Sequence, residues 1–306
     1  MTERSRFSSL AIVAAAALAA SVAPGARGAV RLPATKAEMT ALGREHRTAS
    51  GLYSDFEKQA NGGQRLKSEQ LPDWSGTYTR DPLSLNFDPD QGFGPLPTAK
   101  LTPEYDKRLR DKLDRIKNHI EFDPLSNCAP PGHPRWLTEP FLREFVPTPG
   151  TTYLVNEMVN DIRRVYTDGR AHVPEADRYP LYNGDSIGFW DGKRLVIHTN
   201  QLRAGQYQRA QPEYSDQVET VEIWEKIDDR HMVAHVWVYD PPSLTEPWYV
   251  KQTYTKLADE DRSLRIRYWD CRENQNNDVI KTDNGSSQFR DFTFDKPASP
   301  AQPAGR

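Results

Sequence analysis

The sequence predicts a mainly β protein in which an antiparallel meander closes into a barrel, with two helices before the main run of strands. Three observations predict this fold class. After residue 151, apolar and polar residues alternate with a period of two, turn signals recur at short intervals, and no helical pattern separates one predicted strand from the next. Such strands form either a barrel or a β-sandwich. We favour the barrel because closure removes exposed sheet edges.

The amino terminus has the order of a secretory signal. Arg4 and Arg6 precede an apolar run over residues 10–22, and small residues near Gly28 offer a cleavage site. The run is shorter than the roughly 20 apolar residues that cross a bilayer, so a membrane anchor is the less favoured alternative. We therefore assign residues 1–29 to a signal peptide and expect a periplasmic or secreted protein without a stable membrane anchor.

One large domain follows the signal. Residues 30–72 are expected to form a helical and loop segment, residues 73–294 a β-rich domain that includes a helix over residues 102–120, and residues 295–306 a disordered tail rich in Pro and Ala. The formal net charge is −3, with acids and bases mixed along the chain. Because no basic field exists to attract phosphates, nucleic acid is not an expected partner.

Two helices carry clear start signals. Thr35 followed by Glu38 is a capping box, and Thr102 followed by Pro103 is a cap with proline at the first helical position. The apolar stripe of the second helix comprises Leu109, Leu113, Ile116 and Ile120. Lys112 and its charged neighbours are expected on the solvated side of that helix.

Strand signals recur along the rest of the chain. The predicted strands are Trp74 to Arg80, Tyr153 to Tyr166, Ile187 to Trp190, Leu195 to Thr199, Gln217 to Ile227, Met232 to Tyr239, Trp248 to Leu257, Leu264 to Trp269 and Phe289 to Phe294. The pair Asp191-Gly192 suits the positive φ angles of a type I′ hairpin. About eight strands enclose an interior wide enough for one small ligand, so we expect a calycin-like or lipocalin-like barrel.

The two cysteines, Cys128 and Cys271, are expected to form one disulfide bond, because an isolated pair in an oxidising compartment most simply pairs. Two free thiols, one of them a nucleophile, are the alternative. Neither cysteine has a histidine immediately beside it to activate the thiol, which favours the disulfide.

The densest polar cluster covers residues 163–172. In the functional interpretation, Asp168 orients His172 as a general base and Arg163 holds an anionic or carbonyl oxygen of a substrate. In the alternative, Asp168 and Gly169 form an ordinary hairpin turn flanked by surface arginines.

Two more candidates lie near the predicted hairpin. His198 alternates with Leu195, so His198 faces the interior if Leu195 packs outward beneath the helices and is a solvated surface group if Leu195 packs inward. Asp185 precedes the hairpin and is either a loop constraint or a carboxylate at the rim of the site. The candidate catalytic residues are therefore His172, His198, Asp168 and Asp185.

Aromatic residues supply the candidate binding surface. His235, Trp237 and Tyr239 share one face of a strand, which either lines a pocket or forms an outer face covered by the amino-terminal segments. Trp190 and Trp248 are expected to supply further apolar walls.

The strand carboxylates have two interpretations. Glu157, Glu219, Glu222 and Glu225 are either exposed charges, or one of them is an internal acid paired with an arginine such as Arg163 or Arg267.

No cofactor or metal is expected. The chain has no phosphate-binding glycine loop, no His-Glu-x-x-His zinc helix and no Gly-x-Ser-x-Gly elbow. A metal site built from His172, His198, His235 and a carboxylate is disfavoured because no two of these histidines have the spacing of metal ligands.

Several segments carry a family resemblance. They are Pro72-Asp73-Trp74-Ser75-Gly76, residues 163–172, residues 184–192, Asp240-Pro241 and Cys271-Arg272-Glu273-Asn274. In these segments the chain resembles a large family of exported proteins from soil and environmental bacteria, and the resemblance covers most of the mature chain. It implies export but no particular activity. Phe189 stands where the family usually has a polar residue or histidine, and His198 where it usually has aspartate, which would alter the chemistry or ligand of a site there.

The leading hypothesis is a periplasmic acid/base enzyme without a cofactor, a lyase, isomerase or hydrolase, that acts on a small apolar or aromatic molecule inside the barrel. His172 or His198 is then the base, Asp168 or Asp185 orients it, and Arg163 steadies an oxygen. The alternative is a periplasmic protein that binds the same class of ligand without chemistry. An envelope protein whose loops bind a protein partner is the third possibility.

Overall fold

The architecture is a barrel of strands with helices packed on its outside. The computed structural model describes residues 29–82, 84–91, 98–118, 123–258 and 264–269, and the backbone of residues 279–281 and 287–289. Within these residues the α-helices are α1 (Lys36–Glu45), α2 (Ala49–Gln59) and α3 (Pro103–Lys117). The strands are β1 (Tyr78–Asp81), β2 (Arg143–Thr148), β3 (Thr151–Asn156), β4 (Asp161–Tyr166), β5 (Asp185–Asp191), β6 (Arg194–Asn200), β7 (Gly205–Gln206), β8 (Glu213–Tyr214), β9 (Glu219–Lys226), β10 (His231–Tyr239), β11 (Trp248–Lys256), β12 (Val279–Lys281) and β13 (Ser287–Phe289).

Nine of these strands form the closed barrel. Their order around it is β1, β11, β10, β9, β6, β5, β4, β3 and β2, and β2 pairs again with β1. Neighbouring strands are antiparallel except β4 and β5, which are parallel and meet at the register pair of Tyr166 and Ile187. The predicted barrel is therefore confirmed, with one departure from a pure meander. Residues 167–184 return the chain so that β5 runs in the same direction as β4.

Large side chains fill the interior of the barrel. Register pairs such as Leu195 with Trp224 place inward-facing residues of neighbouring strands in one core. The fully buried side chains include Trp74, Trp136, Trp190, Trp224, Tyr78, Tyr254, Arg80, Arg143 and Arg163. The guanidinium of Arg143 donates a hydrogen bond to the carbonyl oxygen of Trp136 at 2.9 Å, which anchors that segment within the core. The sequence predicted a ligand-sized interior, whereas these side chains form a packed core.

Helices α1 and α2 cover the outer face of the barrel over β6, β9, β10 and β11. Trp237 Nε1 donates to the carbonyl oxygen of Met39 at 2.8 Å, and the Tyr239 hydroxyl donates to that of Gly43 at 2.8 Å. The aromatic face of β10 is therefore an outer face beneath the amino-terminal helices, which is the second of the two predicted alternatives. His235 lies on this face too, with Nδ1 2.7 Å from the Tyr249 hydroxyl.

The helix starts follow the sequence signals only in part. The capping box of Thr35 and Glu38 is confirmed at the start of α1. Helix α2 was not predicted, although Thr48 caps it by accepting a hydrogen bond from the backbone of Gly51 at 3.1 Å. Its buried face rests mainly on Leu52 and Phe56, and two large apolar residues are too few for a periodic signal.

Helix α3 begins at Pro103 as predicted, but one charged residue that the pattern assigned to the solvated side is buried. Lys112 is fully buried, and its Nζ donates to the carbonyl oxygen of Gln211 at 3.1 Å. Lys112 lies three residues after the buried Leu109, on the same side of the helix. The expectation that Lys112 is solvated is therefore wrong.

The hairpin of β5 and β6 is confirmed, but its turn lies one residue later than predicted. Asp191 pairs with Arg194, so Gly192 and Lys193 are the central residues. Gly192 has a φ of 63° at the first of these positions, where type II′ turns place glycine. Asp191 instead ends β5, and its carboxylate accepts a hydrogen bond from the backbone of Val30 at 3.1 Å.

Two other strand predictions need correction. Residues 153–166 contain two strands, because Val159 and Asn160 adopt positive φ angles of 48° and 54° and turn the chain between β3 and β4. Residues 264–269 do not form a strand. Of the last predicted strand, Phe289 ends β13 and the rest lies outside the described residues.

Several predictions fall on residues that the structure does not describe. These are the signal peptide, the carboxyl tail and Cys271, so cleavage, tail disorder and the disulfide with Cys128 stay predictions. In the part of the chain that is described, no helix combines the length and apolar character needed to cross a bilayer.

Candidate functional site

Four titratable side chains form one hydrogen-bonded row on the outer wall of the barrel. His172 Nδ1 lies 2.7 Å from Asp185 Oδ2, and His172 Nε2 lies 2.9 Å from His198 Nδ1. His198 Nε2 in turn lies 3.2 Å from Glu219 Oε2. We call Asp185, His172, His198 and Glu219 the acid/base row. Three of the four candidate catalytic residues of the sequence thus lie in contact with one another.

The barrel strands position three members of the row. Asp185 is the first residue of β5, His198 lies on β6, and Glu219 is the first residue of β9. Because Leu195 faces the core and strand residues alternate, His198 faces outward. His172 comes from the connection between β4 and β5, which is held in place where the Val173 backbone donates to Asp185 Oδ2 at 3.0 Å.

His198 is buried although it faces outward, so both of its predicted environments are wrong. Only 5 % of its side chain is exposed, because the ring of Tyr53 from α2 stacks on it with centroids 5.5 Å apart and planes 30° apart. Tyr53 also contacts Phe189, at 5.4 Å between ring centroids. Neither alternative included the Tyr53 ring above His198, because α2 itself was not predicted.

Glu219 is the most exposed member of the row. The side chains of His172 and Asp185 are 12 % and 10 % exposed, whereas that of Glu219 is 33 % exposed. Burial raises the pKa of the Asp185 carboxyl, but hydrogen bonds from His172 and the Val173 backbone outweigh it, and the pKa lies below its ordinary value. Asp185 is therefore an anion that orients the His172 ring.

Each end of the row opens into a cleft. The cleft at Glu219, which we call the larger cleft, has a volume of about 510 Å³ and is also lined by the start of α2, Arg178, Asn200 and Tyr239. The cleft at Asp185, which we call the second cleft, has a volume of about 440 Å³. Its walls include Arg164, Tyr166, Arg170 and Tyr182. The acid/base row therefore extends from one cleft to the other, and Tyr179 and Gln201 line both clefts.

Asp168 does not orient His172. Its carboxylate instead pairs with Arg170, 2.7 Å from Nη2, at an exposed turn. The hydrogen bond from Arg170 lowers the pKa of Asp168 to about 2. The structure thus agrees with the alternative for this segment, a turn flanked by surface charge, and gives the orienting position to Asp185.

Arg163 does not lie at the substrate site that the functional interpretation predicted. It is fully buried in the barrel, where its Nη2 donates to Glu222 Oε1 at 2.6 Å and to Thr199 Oγ1 at 2.6 Å. Arg163 and Glu222 are therefore the internal acid and arginine pair that the sequence left open. In this position Arg163 does not reach either cleft and holds no substrate oxygen.

His133 completes this interior network and was missed by sequence reasoning. Its Nε2 lies 2.9 Å from Thr220 Oγ1 and 3.2 Å from Glu222 Oε1. Burial alone would raise the pKa of Glu222, but Arg163 and His133 hold it well below its ordinary value. His133 comes from an irregular segment before Pro134, where no periodicity reveals an inward-facing side chain.

The predicted aromatic walls do not gather around the row. Trp190 faces the core and packs on Trp74 at 5.3 Å between ring centroids, and Trp248 packs on Phe87 at 4.9 Å. Of the three candidates on β10, Tyr239 alone is among the residues that line the larger cleft. The site is therefore more polar than the sequence predicted.

Neither metal-ligand geometry among the described residues nor similarity to known proteins assigns a function to the row. Across the described ranges, no group of three or more His, Cys, Asp or Glu side chains is arranged to hold a metal ion. Comparisons of the chain with protein-family models, curated proteins and solved structures found no match. The resemblance to exported bacterial proteins stays a prediction.

Proposed function

We propose that the protein is an acid/base enzyme without a cofactor, of the lyase, isomerase or hydrolase type, whose substrate binds in the larger cleft. One observation carries the proposal: two histidines and two carboxylates form a continuous hydrogen-bonded row that ends in that cleft. Positioned histidines and carboxylates are the usual groups for proton transfer to and from a substrate. This proposal moves the site from the barrel interior to its outer wall.

The spatial origin of the row supports a functional interpretation. Its members come from three strands and one long connection, so local turn geometry does not explain their contact. A contrasting pair is His231 and Asp228, which lie three residues apart at an exposed turn, with Nδ1 2.8 Å from Oδ2. Local turn geometry explains the contact of that pair, whereas the row has the arrangement of a general acid/base site.

We assign distinct roles within the row. Glu219 and His198 exchange the proton with the substrate, because Glu219 is the most exposed member and lines the larger cleft. His172 and Asp185 orient His198 from behind. The cleft volume of about 510 Å³ lies within the range of small-molecule sites. Tyr179 and Pro241 offer exposed apolar surface there beside the polar Asn200, so a small molecule with one polar group suits the cleft better than a wholly apolar one.

The proposal also places the enzyme in the periplasm, on the basis of the amino-terminal pattern described above, with Cys128 and Cys271 joined. Expression of the full chain in a Gram-negative host tests this directly. We expect a periplasmic product whose intact mass corresponds to loss of about 28 or 29 residues and is 2 Da below the dithiol value. A full-length product in the cytosol would contradict export.

Two general probes test the proposed chemistry before a substrate is known. They are 5-nitrobenzisoxazole, which reports proton abstraction from carbon, and 4-nitrophenyl acetate, which reports ester hydrolysis. We expect the protein to accelerate one of them beyond free imidazole at equal concentration. Glu219→Gln and His198→Gln should lower that rate by about 100-fold, the scale of one acid/base group.

The matched control is His231→Gln, which removes an exposed histidine paired with a carboxylate outside both clefts. Its rate should equal that of the wild type. Equal rates in the wild type and in all three variants would refute the proposal. A co-purified small molecule that is returned unchanged after long incubation would instead identify a binding protein.

A further inference from the structure

We infer that the acid/base row is a proton relay that joins the larger cleft to the second cleft. The second cleft then serves as the port through which protons enter or leave, while the substrate occupies the larger cleft. The assignment of the substrate to the larger cleft rests on the proposed function. The shared proton along the row does not depend on the proposed function, because it follows from the number of hydrogen-bond donors and acceptors in the row.

The two carboxylates fix the positions of two protons in the row. When both are ionised, Asp185 Oδ2 and Glu219 Oε2 accept only, so His172 Nδ1 and His198 Nε2 must each carry a proton. Two neutral imidazoles have no further N–H. His172 Nε2 and His198 Nδ1 would then place two lone pairs against each other at 2.9 Å. The row needs a third proton to make this contact a hydrogen bond.

Three protons can be distributed along the row in four ways. The charged group is an imidazolium at His172 or at His198, or the third proton neutralises Asp185 or Glu219. Each distribution fills all three hydrogen bonds and leaves the row with a net charge of −1, and neighbouring distributions differ by one proton hop. Such a chain transfers a proton between its ends without moving any heavy atom far.

Both ends have an oxygen available for exchange. Asp185 Oδ1 and Glu219 Oε1 make no hydrogen bond with any described residue, and each carboxylate lines its own cleft. In a turnover, Glu219 takes one proton from the substrate and Asp185 releases one proton to water in the second cleft. Uptake and release leave the row with three protons, and reorientation of each carboxyl group returns them to the hydrogen-bonded positions.

The surroundings favour the imidazoles as the resting place of the third proton. Arg170 and Arg178 act on Asp185 with positive charge, which opposes its protonation. Tyr53 stacks on His198, where an aromatic face stabilises a cation. Burial and then the charge of Glu57 raise the pKa of the Tyr53 hydroxyl, so Tyr53 remains neutral and adds no charge.

The first test observes the shared proton without any substrate. In the full chain labelled with ¹⁵N-histidine, we expect a nitrogen–nitrogen coupling across the hydrogen bond between His172 Nε2 and His198 Nδ1. Absence of this coupling would overturn the relay. The exposed ring of His231 serves as the internal reference for an unlinked histidine.

The second test separates the relay from the proposed function. Asp185→Asn keeps an acceptor for His172 but cannot carry a proton out. With 5-nitrobenzisoxazole we expect its steady-state rate to fall about tenfold in dilute buffer and to be restored by added imidazole, which takes the proton from Glu219 directly. The wild type and the control Asp168→Asn should not depend on the imidazole concentration.

The outcomes are distinguishable. Loss of activity in Glu219→Gln together with a buffer-independent, fully active Asp185→Asn would refute the relay and leave the proposed function intact. A coupled histidine pair in a protein that turns over neither probe would retain the shared proton and refute the proposed function.

Discussion

His133 lies inside the barrel, and its burial makes the stability of the protein sensitive to acid. Its Nε2 contacts Thr220 Oγ1 at 2.9 Å and Glu222 Oε1 at 3.2 Å. Burial and then the charge of Arg163 lower the pKa of His133 from 6.5 to about 4, although Glu222 acts in the opposite direction. The folded protein therefore keeps a neutral imidazole at pH values where the unfolded chain binds a proton.

The size of the effect follows from this difference. Between pH 6.5 and pH 4 the unfolded chain binds more protons than the folded protein, so the free energy of unfolding decreases as the pH falls. Each pH unit within this window costs about 1.4 kcal/mol. From pH 7 to pH 5, His133 should therefore remove about 2 kcal/mol of stability. Above pH 6.5 its contribution is constant.

Urea unfolding at pH 7 and pH 5 measures this loss. His133→Gln keeps a donor near the position of Nε2 but does not titrate, so the variant should lose about 2 kcal/mol less than the wild type between the two pH values. His231→Gln is the matched control, because His231 is exposed and should leave the wild-type loss unchanged. Equal losses in the wild type and His133→Gln would refute the burial argument.

Three further perturbations have definite expected outcomes. Arg163→Met leaves Glu222 buried without its guanidinium partner and should lower the free energy of unfolding by about 3 to 5 kcal/mol in urea titrations. Gly43→Ala should lower the free energy of unfolding by about 1 to 3 kcal/mol, because the new Cβ would lie 2.8 Å from Trp237 Cδ1. This clash outweighs the better helix propensity of alanine. An unchanged or raised melting temperature would contradict this expectation. Asp168→Asn should leave probe turnover unchanged, since its carboxylate pairs with Arg170 at an exposed turn.

The barrel could be predicted because its signals are local. In β6 the alternation through Leu195 and Ile197 indicates a strand and Gly192 marks the adjoining turn, although the pattern left open which face of the strand points inward. The parallel contact of β4 and β5 leaves no such trace, because it depends on where residues 167–184 lead the chain. Helix α2 was not predicted because its stability comes from contacts with strands far along the sequence, which leave no local signal.

The sequence selected three members of the acid/base row but did not fix which of them contact one another. His172, His198 and Asp185 were all candidates, and the orienting carboxylate was left open between Asp168, four residues from His172, and Asp185. The actual partner, Asp185, lies 13 residues from His172. Glu219 was recognised only as one strand carboxylate among several, since nothing local indicates which of them meets a histidine.

The two polar systems of this barrel occupy opposite faces of the same strands. Thr199 points inward and contacts the Arg163 guanidinium, whereas its neighbour His198 points outward into the row. The same alternation separates Ser186, which accepts from Arg163, from Asp185. Because the interior ion pair fixes the backbone of β5 and β6 from within, it also fixes the spacing of the row outside. Repacking the interior with apolar residues should therefore disturb the spacing of the acid/base row even where it preserves stability.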